Sequence, residues 1–260
     1  MLLDSIVIVL RETLEAGVLI SLLLALGHEL HLGRRWLWLA LPLGISGAYF
    51  YAVNLRVISS WLDYAGQEVV NAGLQYSIYL VLLALITHVR RGRNDPVACL
   101  MSVATVLAVV REGAEIMVFY DGYLHKGEQL VGALTSGFVG LMVGFSVGTV
   151  SYFSLLMLAR RFAQTIHVAL LILIGSGMVL QATQLLEQVD WLPASMPLWS
   201  TEALLAEGSL PGQLCYAIFG YESTPTTNEV LLYCFALLLG VGISRLPRGP
   251  AATPASGVSQ

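Results

Sequence analysis

Between residues 2 and 27 the chain reads LLDSIVIVLRETLEAGVLISLLLALG, and between residues 97 and 120 it reads VACLMSVATVLAVVREGAEIMVFY. Both stretches are long and apolar enough to cross a bilayer, for which about 20 residues of helix are needed. Both are also interrupted by the same pattern: Arg11-Glu12-Thr13-Leu14-Glu15 in the first, Arg111-Glu112-Gly113-Ala114-Glu115 in the second. Charges inside an apolar span are costly, so a charged motif placed twice at equivalent depth marks a functional site by default.

The composition agrees with a membrane protein. Of 260 residues 57% are hydrophobic and only 12% charged, and the mean hydropathy is +0.76. A soluble domain carries about twice that share of charge. Seven spans are expected, at 2–27, 36–55, 69–89, 97–120, 130–158, 166–187 and 229–244. The fold class read from this pattern is an all-α membrane protein with seven transmembrane helices. A single transmembrane domain, 1–245, is expected to precede a disordered cytoplasmic tail, 246–260, rich in Pro, Gly, Ala and Ser. The first span has no basic leader and no small-residue cleavage pattern, so it reads as a retained helix and not as a signal peptide.

The basic residues set the orientation. Nine of them (Arg34, Arg35, Arg90, Arg91, Arg93, Arg160, Arg161, Arg245 and Arg248) fall on one set of alternate connections, against Arg56 and Lys126 on the other. Because basic loops are retained in the cytoplasm, the expected topology has the N-terminus outside and the C-terminus inside. The acidic residues show the opposite bias: Asp63, Asp121 and Glu128, among others, lie on or near the outer face. They either fill loops the basic residues avoid or form a negative outer vestibule that concentrates cations. The long outer connection 188–228 is expected to carry structure of its own, with a short interfacial helix at Thr201–Ala206 beside Trp199.

The two motifs are 100 residues apart, one set of three spans (repeat one, 2–90) followed by a second (repeat two, 97–187). Three is odd, so spans 1 and 4 run in opposite senses, as in inverted-topology repeats with a binding site near the midplane. Span 5 carries Gly132, Ser136, Gly140, Gly144 and Gly148, a small residue at every fourth position. This strip permits close helix approach, either within one chain or between two copies in an oligomer.

On a helix, residues at i, i+3 and i+4 share a face, so Arg11, Glu12 and Glu15 project together, as do Arg111, Glu112 and Glu115. Arg11 can pair with Glu15 and Arg111 with Glu115. Four carboxylates and two guanidiniums then leave the site at minus two if all are ionised. Carboxylates without thiolate or imidazole suit hard cations. The histidines His28, His31, His88, His125 and His167 fall in loops or at span ends and read as surface residues. Cys99, Cys215 and Cys234 have no metal-ligand spacing. Three readings stay open from the residues alone: Arg–Glu locks between helices, a proton-coupled transporter of another solute, and a membrane di-metal enzyme, although the last generally adds Glu-x-x-His ligands.

The paired Arg-Glu-x-x-Glu motifs resemble those of the oxidase-dependent iron permease family. Glu68 falls where that family has an acidic residue followed by glycine; here Val69 follows. The stretch from Pro197-Leu198-Trp199-Ser200 through Phe219-Gly220-Tyr221 to Pro225 is similar to the last outer loop of the bacterial branch. The resemblance implies a transporter, not an enzyme, of the bacterial inner membrane. By it Glu12, Glu15, Glu112, Glu115 and Glu68 bind metal, supported by Arg11 and Arg111. It further implies that iron is the transported substrate with no permanently bound cofactor. An extracytoplasmic oxidase, or a periplasmic iron-binding or cupredoxin-like protein, is the implied partner; no nucleic acid is.

The expected topology has a direct test. In a background without the native cysteines, Asp4→Cys and Glu207→Cys should label with an impermeant thiol reagent in intact cells, and Arg91→Cys should not. The reverse pattern would overturn both the orientation and the vestibule.

Overall fold

A computed structural model describes residues 2–93, 95–123, 127–193, 195–206 and 208–245. The tail 246–260, His125, Lys126 and Glu207 lie outside these, as do the side chains of Asp4 and Glu128. The chain folds into long helices α1 (Leu2–Glu29), α2 (Arg35–Val53), α4 (Gly66–Arg90), α5 (Val97–Asp121), α6 (Glu128–Leu156), α7 (Arg160–Gln188) and α9 (Thr227–Ser244). Two short helices join them, α3 (Leu55–Ser59) and α8 (Leu210–Phe219). Each expected span coincides with one long helix to within a few residues. Six of these helices are long and apolar enough to cross a membrane. The remaining one, α1, is a continuous 28-residue helix, and Arg11, Glu12 and Glu15 are what lower its apolar character.

The closest packing pairs α1 with α6, α2 with α5, and α4 with α7, while α1 also touches α5. The first helix of each half therefore lies against the second helix of the other half. The largest buried cluster joins α1, α4, α5 and α7 through residues that include Leu19, Leu22, Leu23, Leu26, Ile78, Leu82, Leu85, Ile86, Met101 and Leu171. Outward faces stay apolar, with Trp38, Leu39 and Phe50 on α2, Phe138 and Phe145 on α6, and Phe235 and Leu238 on α9 all exposed, as a lipid-facing surface requires.

The small-residue strip of α6 packs against α1 of the same chain. A Cβ at Gly140 would meet the Ile6 carbonyl oxygen at 2.5 Å and the Leu10 nitrogen at 3.0 Å, and one at Gly144 would meet Thr13. The Ser21 hydroxyl donates to the Gly148 carbonyl at 2.7 Å. The strip is thus occupied within one protomer, and it sets the approach of the helix that carries the first motif.

The connection 188–228 differs from expectation. Thr201–Ala206 is not a helix; it makes a single turn in which Leu204 and Leu205 both donate to the Thr201 carbonyl. The helix of this connection is α8, further along. Ser209 caps its start by accepting from the Gly212 amide at 3.1 Å, with a proline in the first turn, and Gly220 ends it in the left-handed conformation at φ 65°. These are ordinary start and stop signals. Gly220 lies directly on Gly177 of α7, with no room for a Cβ on either. Gly177 is 11 residues before the end of α7, so α8 reaches roughly 16 Å down the bundle at 1.5 Å per residue. Backbone of this kind is tolerated at membrane depth when protein buries it.

Gly140→Ala should lower the melting temperature of the detergent-purified protein by several degrees. Overpacking costs about 1–3 kcal/mol, each worth ~2–4 °C in a chain of this size, and here the obstacle is backbone that cannot swing aside. Gly73→Ala, where a Cβ meets nothing within 4 Å, should leave it unchanged or raise it; equal effects at both positions would contradict the close α1–α6 contact.

Candidate metal-binding site

The antiparallel contact of α1 with α5 brings the two motifs face to face. The Arg111 guanidinium is their common point. Its Nη1 donates to Glu15 Oε2 at 2.8 Å and to Glu112 Oε1 at 2.5 Å, and Nη2 lies 3.5 Å from Glu115 Oε1. One planar fork therefore serves three carboxylates, a geometry available to arginine and not to lysine. Glu15 receives Arg11 Nε on its other oxygen at 3.2 Å, so both its oxygens are engaged by guanidiniums. The sequence pairing of Arg11 with Glu15 is present. Arg111, however, reaches its short contacts with Glu15 of the opposite motif and with its neighbour Glu112, and meets Glu115 only loosely.

Three carboxylates are left converging. Glu12, Glu112 and Glu115 each present one oxygen within 4.8 Å of the others. Glu12 and Glu112 are almost wholly buried, at 5% and 2% exposure, while the Glu115 side chain is 31% exposed. Glu12 Oε2 and Glu112 Oε2 are buried without a hydrogen-bond partner among the described residues. A buried carboxylate oxygen left unpaired costs more than ~1–3 kcal/mol, a cost that a bound cation would remove. Glu115 is held in turn by Asn71 Nδ2 at 3.4 Å, and Asn71 Oδ1 accepts from the Tyr51 hydroxyl at 3.0 Å.

The site lies at one end of a cavity of about 840 Å³. Its wall includes Glu12, Arg11, Arg111 and Glu115 at one end, and Glu187, Glu222 and Glu229 towards the outer connection. Gln75 and Gln181 meet across it at 2.6 Å, and Gln184 Nε2 donates to Glu222 Oε2 at 2.5 Å. The carbonyl oxygens of Gln75 and Gln213 are buried and unpartnered among the described residues. From α8, Tyr216 lays its ring 4.3 Å from the Arg11 guanidinium, within the range of cation–π attraction. Five lining glutamates and two arginines give the wall minus three if all are ionised. Below the motifs the interior turns apolar: Leu19, Leu22, Leu23 and Leu26 of α1 are fully buried, and a separate 420 Å³ space beside them is lined mainly by aliphatic side chains, among them Val18, Val147 and Ile174.

A family comparison now applies: residues 2–243 match the model of the iron permease FTR1 family. The chain belongs to that family. It is a multi-pass membrane permease, a transporter and not an enzyme, and iron is its cargo. No curated protein and no solved structure gives a match. The resemblance carried by the paired motifs thus extends over nearly the whole chain.

Of the other site residues expected in the permease, Glu68 stands in the first turn of α4, outside the converging trio and outside the cavity wall. Asp63 and Asp121 are exposed and do not line the cavity; the acidic residues that do are Glu187, Glu222 and Glu229. Sequence reasoning passed over Gln75, Gln181, Gln213, Asn71 and Tyr216. For Gln75, Asn71 and Gln181 a signal existed, since uncharged polar side chains inside spans are themselves unusual and tend to bond across helices. His167 also differs from expectation. It is 2% exposed, not a surface residue, because α7 begins at Arg160 and already carries His167 into the bundle.

The two arginines should be unequal. Arg111 is 5% exposed and serves three carboxylates, whereas Arg11 is 43% exposed and serves one. Arg111→Lys should reduce radiolabelled iron uptake by about tenfold or more, equivalent to ~1.4 kcal/mol, at matched membrane levels. Arg11→Lys should cost about threefold or less, and the opposite ranking would contradict the central position of Arg111.

Proposed function

We propose that this permease moves iron inward across a bacterial cytoplasmic membrane, and that Glu12, Glu112 and Glu115 hold the ion in transit. The observation that carries this reading is the convergence of those three carboxylates, drawn from both motifs, beside a cavity whose wall includes Glu12 and Glu115 and is rich in acidic and amide side chains. Glu15 acts as the anchor for Arg11 and Arg111, and so belongs to the site by position. Glu115, the most exposed of the trio, is the first to meet an ion descending the cavity. Glu68 remains a candidate for an accessory outer position through its proximity to Tyr51.

The proposed cargo is ferric iron delivered by an extracytoplasmic oxidase or a periplasmic iron-binding or cupredoxin-like partner. An all-oxygen donor set suits hard cations, and the negative wall draws them in. We further propose seven spans, α1 among them, with the N-terminus outside, arranged as two inverted repeats. Exchange of α1, α2 and α4 for α5, α6 and α7 maps the α1–α6 contact onto α5–α2 and leaves the α4–α7 and α1–α5 contacts unchanged. That pairing supports the repeat reading. The leucine-rich interior beneath the motifs then acts as the inner gate, closed in this conformation.

The liganding role is tested by shortening reach without changing charge. Glu12→Asp and Glu115→Asp each withdraw an oxygen by about 1.5 Å, a single C–C bond, where metal sites accept errors of only about 0.2 Å. Each should lower radiolabelled iron uptake by at least about tenfold, a loss of ~1.4 kcal/mol, with normal protein in the membrane; near-normal uptake in both would defeat the reading. Gallium(III), which is not reducible under these conditions, should compete with the iron where zinc(II) does not. Competition by zinc alone would remove the ferric assignment.

A further inference from the structure

At the far end of α1 from the motifs lies a second polar cluster that the iron site does not use. A cavity of about 320 Å³ is bounded by His28, Glu29 and His31 of α1 and the loop that follows, Leu155 and Leu156 at the end of α6, and His167 of α7. Glu12 and Glu29 are 17 residues apart on one helix, about 25 Å at 1.5 Å per residue. The cluster therefore sits at the opposite end of the bundle from the acidic cavity, beyond the leucine-rich interior.

His167 decides what this cluster can do. Its Nδ1 lies 2.7 Å from Glu29 Oε2. A carboxylate oxygen accepts, so Nδ1 carries a proton, and in the neutral imidazole Nε2 is then the lone-pair nitrogen. That Nε2 is buried and has no hydrogen-bond partner among the described residues, and His167 lines the cavity. A carboxylate that fixes the tautomer of an imidazole and leaves its other nitrogen bare is the arrangement by which proteins present a histidine to a metal. Two more imidazoles, His28 and His31, line the same cavity and are exposed, so they can turn onto an ion that His167 has bound.

We propose that this is a second transition-metal site, at the inner mouth, with His167 Nε2 as its fixed ligand, Glu29 as the positioning residue, and His28 and His31 completing the shell. Its nitrogen-rich donor set differs from the all-oxygen trio and suits the later and softer first-row ions, ferrous iron included. It rests on the iron-permease reading for its role, which is to receive the ion that passes the inner gate.

The test is a titration of the full-length protein in detergent with gallium(III) for the carboxylate trio and cobalt(II) for the inner site, counting bound ions and recording X-ray absorption. The wild type should bind two ions. The double variant Glu12→Gln, Glu112→Gln should retain one, with imidazole scattering in its spectrum, and His167→Ala should retain one without it. Glu29→Gln keeps an acceptor for the Nδ1 proton, so it should fold normally yet bind the inner ion about 10–100-fold more weakly. Two ions still bound by His167→Ala, none bound by the double variant, or unchanged inner affinity in Glu29→Gln would each overturn the inner site. Two ions bound by the double variant would instead defeat the central trio and leave the inner site standing.

Discussion

One buried guanidinium holds this structure to its geometry. The Arg111 side chain is only 5% exposed, and breaking such a pairing by removal of one partner costs about 3–5 kcal/mol because the remaining charges are stranded. Its three carboxylates come from α1 and from its own helix α5, so the ion pairs can be satisfied only when those two helices cross at one depth. The rest of the bundle follows from that crossing. The glycine-bearing face of α6 lets α1 come close enough, and α2 performs the same service for α5 on the opposite side.

The same constraint explains why the site is under-neutralised. Two arginines cannot balance four carboxylates, and the geometry concentrates the shortfall: both oxygens of Glu15 meet a guanidinium, while Glu12 and Glu112 keep a buried oxygen each without a partner among the described residues. A structural lock would have no use for that excess. The side of the trio facing the cavity is lined with glutamate and glutamine, and the other side is leucine, so an ion placed there is solvated by protein from one direction only.

Much of this was legible in the sequence because charge in an apolar span is so costly that it can only mean a partner nearby. The long helices, the repeated motif and the role of the span 5 strip as a close-contact face all follow from local pattern. What local pattern could not supply was the choice of partner. Arg111 and Glu115 are one turn apart and look like a pair, yet a residue 96 positions away takes the shorter bond. Likewise His167 looked peripheral because its distance from the end of the apolar run is small, whereas its burial depends on α7 beginning at Arg160 and on α1 lying beside it. The helix in the outer connection was missed for a different reason. Its cap signals at Ser209, Pro211 and Gly220 were in plain view, but Trp199 drew attention to the stretch before it.

The exchange of partners between the halves also sets an order of assembly. Glu15 is synthesised 96 residues before Arg111, and Glu12 100 before Glu112; at roughly 5–20 residues per second the wait is about 5 to 20 s. During that interval α1 has neither α5 to share its charges nor α6 to cover its back, and α2 has no α5. A nascent first half is therefore a helix too polar to rest comfortably in lipid, held by Arg11–Glu15 alone. Insertion of this protein is a problem of timing as much as of hydrophobicity: whatever shelters α1 at the translocation machinery must keep it until the second half arrives.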